Sequence, residues 1–250
     1  MAPVKAAPFA PAELARALEA AARAAGFHVC EFGRAGDCPL LGLTRRTAGP
    51  RPRIYLSAGI HGDEPAPPLA LLELMNEGFF DHRAHWIVCP LLNPAGFAAA
   101  TRENAGGIDL NRDYRRTRSA EVAAHVRWLR RQPNFDLYLT LHEDWEATGF
   151  YLYEINPQGR PSLAEPIIES VRTVCPIDPH ELIDDRPAAG GIIRPDVDPA
   201  VRELWPESIY LRAHHAARGY TLETPSGMPL ELRVRAQKAA VNTAVARYLG

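Results

Sequence analysis

Short apolar runs alternate along this chain with apolar segments of helical length, and that alternation restricts the available folds more than any other feature. Arg53 to Ile60, RIYLSAGI, is bounded by Pro52 and by the polar turn His61-Gly62-Asp63-Glu64, which fits a buried strand. The following segment, PAPPLALLELMNEGFF, opens with prolines, which suit the first turn of a helix, and continues as a strongly apolar helix. His85 to Leu92 predicts a second buried strand. Ser119 can cap a helix whose inward stripe is Val122, Val126 and Leu129, and Asp136 to Leu141, DLYLTL, predicts a strand that delivers His142 at its end. Strand, helix and strand units of this kind favour a mixed, mostly parallel twisted sheet with helices on both faces. The expected fold class is therefore α/β, a single three-layer α/β/α domain over residues 1–250.

The flanking segments are consistent with that class. Residues 11 to 25 place Leu14, Leu18, Ala21 and Ala25 on one helical face, and Gly26 stands as a C-terminal cap. Gly219 to Thr224, GYTLET, predicts one more strand, and the closing helix carries Val234, Val241, Val245 and Leu249. Residues 150 to 210 are irregular and proline-rich, with one helix around Leu163, Ile167, Val171 and Val174. Pro94 to about Tyr114, rich in Gly, Asn, Asp and Arg, is too long for an ordinary connection, and long ordered loops usually carry function.

Composition narrows the function classes. A hydrophobic share of 46% over 250 residues supports a sizeable core, and a net charge of −2 offers no global field for nucleic acid or an anionic membrane surface. The clusters Arg115, Arg116, Arg118 and Arg127, Arg130, Arg131 read as solvated helix faces. Cys30, Cys38, Cys89 and Cys175 show neither C-x-x-C spacing nor disulfide-scaffold density, so they read as small hydrophobes of a reducing compartment. The N-terminus lacks a continuous apolar signal core, and no window approaches the ~20 apolar residues that span a bilayer. A cytoplasmic protein with neither nucleic-acid nor membrane partner is expected; oligomeric state is left open.

The chemistry concentrates at His61-Gly62-Asp63-Glu64, directly after a predicted strand, where α/β sheets bind ligands. An imidazole and a carboxylate three residues apart on a tight turn can reach one ion, and zinc accepts that donor mix. Alone, H-x-x-E is weak, and either His61 or His142 taken singly reads as a hydrogen-bonded core or loop residue. His142, at the end of another strand, can supply a third ligand. Arg102 to Arg112, RENAGGIDLNR, sets an Asn-Arg pair downstream of another arginine, and alternation puts Glu223 on the face opposite Tyr220 and Leu222.

Those four elements in that order resemble the zinc carboxypeptidases of the carboxypeptidase A type, a superfamily that includes murein peptide amidases and the succinylglutamate desuccinylase and aspartoacylase enzymes. The matching motifs run from residue 61 to 223. The resemblance implies a zinc carboxypeptidase-like fold holding one zinc ion (Zn2+) per chain through His61, Glu64 and His142. It implies that Asp109 buttresses His61, that Arg102 polarises the scissile carbonyl and that Asn111 and Arg112 grip the substrate carboxylate. Glu223 becomes the general base. A small peptide or acyl-amino acid with a free carboxylate is the implied substrate, and the implied activity is that of a metallopeptidase or amidohydrolase.

Within the superfamily a metallocarboxypeptidase, a short-peptide amidase and an N-acyl amino acid deacylase compete, beside a catalytically silent carboxylate binder. Only 27 residues follow Glu223, leaving no room for the β-rich domain usual in the deacylase branch, which favours peptidase or amidase. The remaining histidines, His125 among them, read as ordinary residues, and Glu143 and Asp144 as exposed loop carboxylates. Tyr210 stands where the family's mobile tyrosine is expected but is not assigned to the site.

Overall fold

The computed structural model describes residues 10–195, 198–215 and 218–250. Among these, seven α-helices accompany a ten-stranded sheet. Helix α1 (Pro11–Ala24) opens on a proline, buries Leu14, Leu18, Ala21 and Ala22, and ends before Gly26, whose φ of +79° a side chain would strain. Strands β1 (His28–Ala35) and β2 (Cys38–Arg45) form a hairpin with Gly36 at φ +58° in its turn. β3 (Arg53–Ser57), α2 (Ala66–Asn76) and β4 (His85–Cys89) follow where the apolar runs predict them.

The Gly- and Asn-rich stretch after β4 is more ordered than a loop. It begins with the short helix α3 (Pro94–Ala99), whose start is capped by Asn93 Oδ1 accepting from the Gly96 N–H at 2.9 Å, and it ends in one 3-10 turn, Leu110–Arg112. Ser119 caps α4 (Ala120–Leu129) as expected. β5 spans Leu137–Asp144, so His142 lies within the strand rather than beyond it.

Residues 150 to 210 hold one expected element, α5 (Ala164–Arg172), and several that periodicity did not reveal: β6 (Tyr151–Ile155), β7 (Leu182–Ile183), β8 (Arg186–Ala189), β9 (Ile192–Ile193) and α6 (Glu207–His214). β7, β8 and β9, of two to four residues, are too short to display an alternation, whereas β6 does alternate. β10 (Gly219–Pro225) and α7 (Leu230–Leu249) close the chain.

The strand order is β1-β2-β4-β3-β5-β10-β6-β9-β8-β7. The four central strands, β4, β3, β5 and β10, run parallel, and antiparallel pairings flank them on both sides. On one face Ile54, Leu56, Trp86, Val88, Leu139 and Leu222 form the larger core with residues of α1, α2, α5 and α7. On the other, Tyr55, Ile87 and Tyr138 pack with residues of α4 and α6. Each fully buried leucine contributes about 1.5–3 kcal/mol relative to exposure. The second face also carries the polar side chains of Thr140 and Thr221, hydroxyl to hydroxyl at 2.8 Å, and these lead directly to the site.

All six clustered arginines are exposed, and the four cysteines are free thiols, three buried and Cys30 partly so. No helix among the described residues is long and apolar enough to cross a membrane.

Candidate metal centre

The carboxyl ends of the parallel strands set the geometry. After β3 the chain turns through Ala58-Gly59-Ile60 and buries His61 and Glu64 at 2% and 3% exposure, while β5, the neighbour of β3, carries His142 at 3%. His61 Nδ1 lies 2.5 Å from Glu64 Oε1, and His142 Nδ1 lies 3.1 Å from Glu64 Oε2. One donor atom from each of the three residues lies within 4.8 Å of the others, a group able to hold a metal ion. Two imidazole nitrogens and a carboxylate oxygen are a donor set suited to a divalent transition-metal ion. Turned toward that point by Nδ1, His61 is left with a buried Nε2 that faces Asp109 Oδ1 at 3.3 Å without the alignment of a full hydrogen bond.

Gly62 explains why the turn can be so tight. A Cβ there would sit 1.8 Å from the Gly96 carbonyl carbon, so only a glycine lets the turn pack on α3, and its N–H donates to Thr101 O at 2.9 Å. His142 is fixed from behind: its carbonyl accepts from Gln237 Nε2 of α7 at 2.7 Å. Glu143, expected as an exposed loop carboxylate, is instead 4% exposed, pairs with Arg233 Nη1 at 2.7 Å and accepts from the Ala66 N–H at 2.8 Å. β5 continues past His142 and carries Glu143 onto the start of α2, which buries it.

Asp109 joins the loop to the metal group. Its Oδ1 accepts from the Asn111 N–H at 2.8 Å besides facing His61, and its Oδ2 takes Arg102 Nε at 3.0 Å. Arg102 thereby reaches over the cluster, with Nη1 3.3 Å from His61 Nδ1 and 3.9 Å from Glu64 Oε1. Asn111 Oδ1 accepts from the Glu207 N–H at 2.9 Å, which leaves the Asn111 amide nitrogen as its free donor group; Asn111 and Arg112 both line the cleft. Glu223 on β10 is in register with His142 on one side and with Tyr151 of β6 on the other. Register partners on parallel strands share a face, so Glu223 and His142 stand on the same side of the sheet. His61, Glu64, Arg102, Asn111, Arg112, His142 and Glu223 therefore line one cleft of about 560 Å³, and Asp109 stands behind His61.

Electrostatics reflect this crowding. Burial alone would lower the His61 pKa, but the Glu64 carboxylate and the contacts to Asp109 and Glu64 outweigh it and raise the value to about 8. Burial would raise Glu64, yet the charges of His61 and His142 hold it well below the ordinary carboxylate range. Asp109 is likewise depressed, because its close contact with the His61 ring and then the charge of Arg102 overcome its burial. Glu223 is pushed the other way, well above its ordinary value, chiefly by burial; His142 and Arg102 oppose the rise, and Glu64 and Asp144 add to it.

Several side chains here had no signal in the sequence. Behind the centre, Glu207 is 1% exposed and accepts from Tyr55 Oη at 2.6 Å and Ser57 Oγ at 2.7 Å. His125 extends this network, with Nε2 3.1 Å from Tyr55 Oη and Nδ1 2.7 Å from Tyr114 Oη, and burial lowers its pKa to about 3, so it is neutral. Tyr210 is 3% exposed and packs on Tyr114 and His214, away from any covering role. The tyrosines that do line the cleft are Tyr151 and Tyr153, which their alternation in FYLYEI would have exposed.

A mixed sheet with a His-Glu-His group at the ends of its parallel strands defines the class of the metal-dependent carboxypeptidase fold. The comparisons with known proteins agree. The succinylglutamate desuccinylase/aspartoacylase catalytic domain family matches residues 50–173. Carboxypeptidase SOL1 of Arabidopsis thaliana is 31% identical over 112 residues, which are 36% of this chain and 23% of that protein. The structure of a candidate metallopeptidase from Shewanella amazonensis superposes with a TM-score of 0.82 at 29% identity, covering 94% of this chain and 91% of the other. A metallo-carboxypeptidase from Burkholderia cenocepacia shares the fold at a TM-score of 0.67 and 20% identity, over 94% and 67% of the two chains. Together these likenesses support the zinc carboxypeptidase-like superfamily.

Proposed function

We propose that this chain is, over its whole length, one catalytic domain of a zinc-dependent hydrolase that cleaves an amide bond beside a free carboxylate in a small peptide. The observation that carries the reading is the convergence of His61, Glu64 and His142 with Glu223 in register beside them. In this reading His61 Nδ1, Glu64 and His142 Nδ1 hold the ion. Zinc, when bound, supplies the positive charge that acidifies a water to a pKa near 7 and favours negative charge on a carbonyl oxygen.

The chain's own groups do the rest. Glu223, in register beside His142, is placed to accept a proton from the attacking water and to pass it to the leaving amine. Arg102, anchored by Asp109, donates to the carbonyl oxygen as charge develops there. Asn111, its oxygen tied to Glu207, turns its amide nitrogen toward the substrate carboxylate, and Arg112 supplies a planar guanidinium for the same group. A second reading, an N-acyl amino acid deacylase, is favoured by the family match over residues 50–173.

Metal analysis of the purified protein, followed by assays on hippuryl-type, γ-glutamyl and N-acyl amino acid substrates with and without a chelator, tests both. Stoichiometric zinc and chelator-sensitive turnover are expected, with the substrate class separating the readings. Activity that persists after complete metal removal rejects both.

A further inference from the structure

Three segments carry the metal group and Glu223, and the start of α7 is joined to all three from the far face of the sheet. Glu143 and Thr224 follow His142 and Glu223 in register, so alternation turns their side chains away from the metal face. There Gln237, wholly buried, donates from Nε2 to the His142 carbonyl at 2.7 Å and to Thr224 Oγ1 at 3.2 Å. One turn earlier on α7, Arg233 Nη1 meets Glu143 Oε2 at 2.7 Å, and Thr224 Oγ1 lies 3.3 Å from the same oxygen. Glu143 Oε1 accepts from the N–H of Ala66, two residues beyond Glu64, and Val234 of α7 packs with Ala66 and Ala70.

Strand pairing alone leaves His142 under-supported. β3 pairs with β5 only as far as Thr140, so β5 carries His142 past the end of one neighbour. A metal site tolerates only about ±0.2 Å in its ligand distances, and the Gln237 bond holds the peptide that aims the His142 side chain. Stability does not account for the ion pair beside it. The Glu143 and Arg233 side chains are 0% and 12% exposed, and replacing a buried pair by uncharged groups of similar volume is often neutral or stabilising.

We propose that Glu143, Arg233 and Gln237 are positioning residues that fix the spacing between the Glu64 turn, His142 and Glu223, so that α7 keeps the donor group in place before the ion arrives. This rests on the reading of His61, Glu64 and His142 as ligands, and it gives a role to a helix that lies beyond every motif. Neither Arg233 nor Gln237 lines the cleft, so both act on the centre only through other residues.

The test uses the whole chain, metal-free and loaded, with zinc and cobalt(II) themselves as probes. Competition with a chromophoric chelator reads zinc affinity, the visible spectrum of the cobalt(II)-loaded protein reads coordination, and urea unfolding of the metal-free protein reads folding. Q237M keeps the volume and removes the donor, whereas E143Q/R233M removes the ion pair and keeps an acceptor for the Ala66 N–H. Both should bind zinc about 10- to 100-fold more weakly, the usual loss when a ligand's supporting bond is removed, and both should shift the cobalt(II) bands. E143Q/R233M should do so at the wild-type urea midpoint. Variants that bind both ions as the wild type does overturn the positioning role and leave the ligands standing. Affinity that falls only as the urea midpoint falls, with an unchanged cobalt(II) spectrum, overturns it too. Wild-type protein that binds neither ion removes the metal centre and the positioning role together. The expected losses without turnover of any amide substrate keep the positioning role and remove the hydrolytic reading.

Discussion

Metal binding at this centre should expel a proton, because His61 Nδ1 is both a proposed ligand atom and the atom against Glu64. In the metal-free protein the His61 pKa stands at about 8 against an ordinary 6.5, so at pH 7 roughly 0.9 of a proton occupies the ring and must leave before a cation is bound. Apparent zinc affinity should therefore fall about tenfold, about 1.4 kcal/mol, for each pH step below 8, and level off above it. Stability of the metal-free protein should move the opposite way. A folded pKa raised from 6.5 to about 8 contributes about 2 kcal/mol that is fully present below pH 6.5 and is lost as pH rises through 8. The depressed Glu64 adds stability above the ordinary carboxylate range that is lost in acid. Calorimetric titration of zinc at pH 7 in buffers of different ionisation enthalpy reads the proton directly, and thermal unfolding of metal-free protein at pH 6.5 and 8.5 reads the stability. Zinc affinity that is flat between pH 6 and 8, with no buffer-dependent heat, would refute the proposed coordination by His61.

Replacing Glu223 with glutamine should keep the zinc content and lower kcat by about 10² to 10⁴, the usual contribution of a positioned acid-base group; wild-type turnover in E223Q removes its assigned role. Gly62→Ala drives a Cβ to 1.8 Å from backbone and has no flexible side chain to displace, so it should cost about 1–3 kcal/mol in urea unfolding and weaken zinc binding by tenfold or more. Glu207→Ala leaves the Tyr55 and Ser57 hydroxyls without their buried carboxylate acceptor, at about 1–3 kcal/mol each, while its backbone N–H still holds Asn111; a variant within about 0.5 kcal/mol of wild type would mean that water fills the space and replaces the carboxylate.

The parallel centre of the sheet was legible because buried parallel strands must be apolar on both faces, and RIYLSAGI, HWIVCPLL and DLYLTL can be little else. The antiparallel wings were not. β1 and β2 mix charged and apolar residues and give no clean alternation, although Gly36-Asp37 between them is a hairpin signal that a turn-first search would have caught. β7 to β9 are two to four residues long and pair with one another in tight local turns, and the one pairing that joins them to the main sheet, β9 on β6, spans about 40 residues and lies outside any local window.

The same distinction separates the two halves of the cleft. His61, Glu64, Arg102, Asn111 and Arg112 sit on motifs, because each motif is a backbone device: a glycine that admits close packing, an aspartate that caps a 3-10 turn, an asparagine pinned by a main-chain amide. Such devices demand particular residues at fixed spacing and so leave a pattern. Arg186 and Arg202 demand nothing of the backbone, since long flexible side chains reach the cleft from short strands and turns whose own sequences are unremarkable. The metal group is readable from order and spacing; the rest of the cleft's lining becomes readable only once the chain is folded.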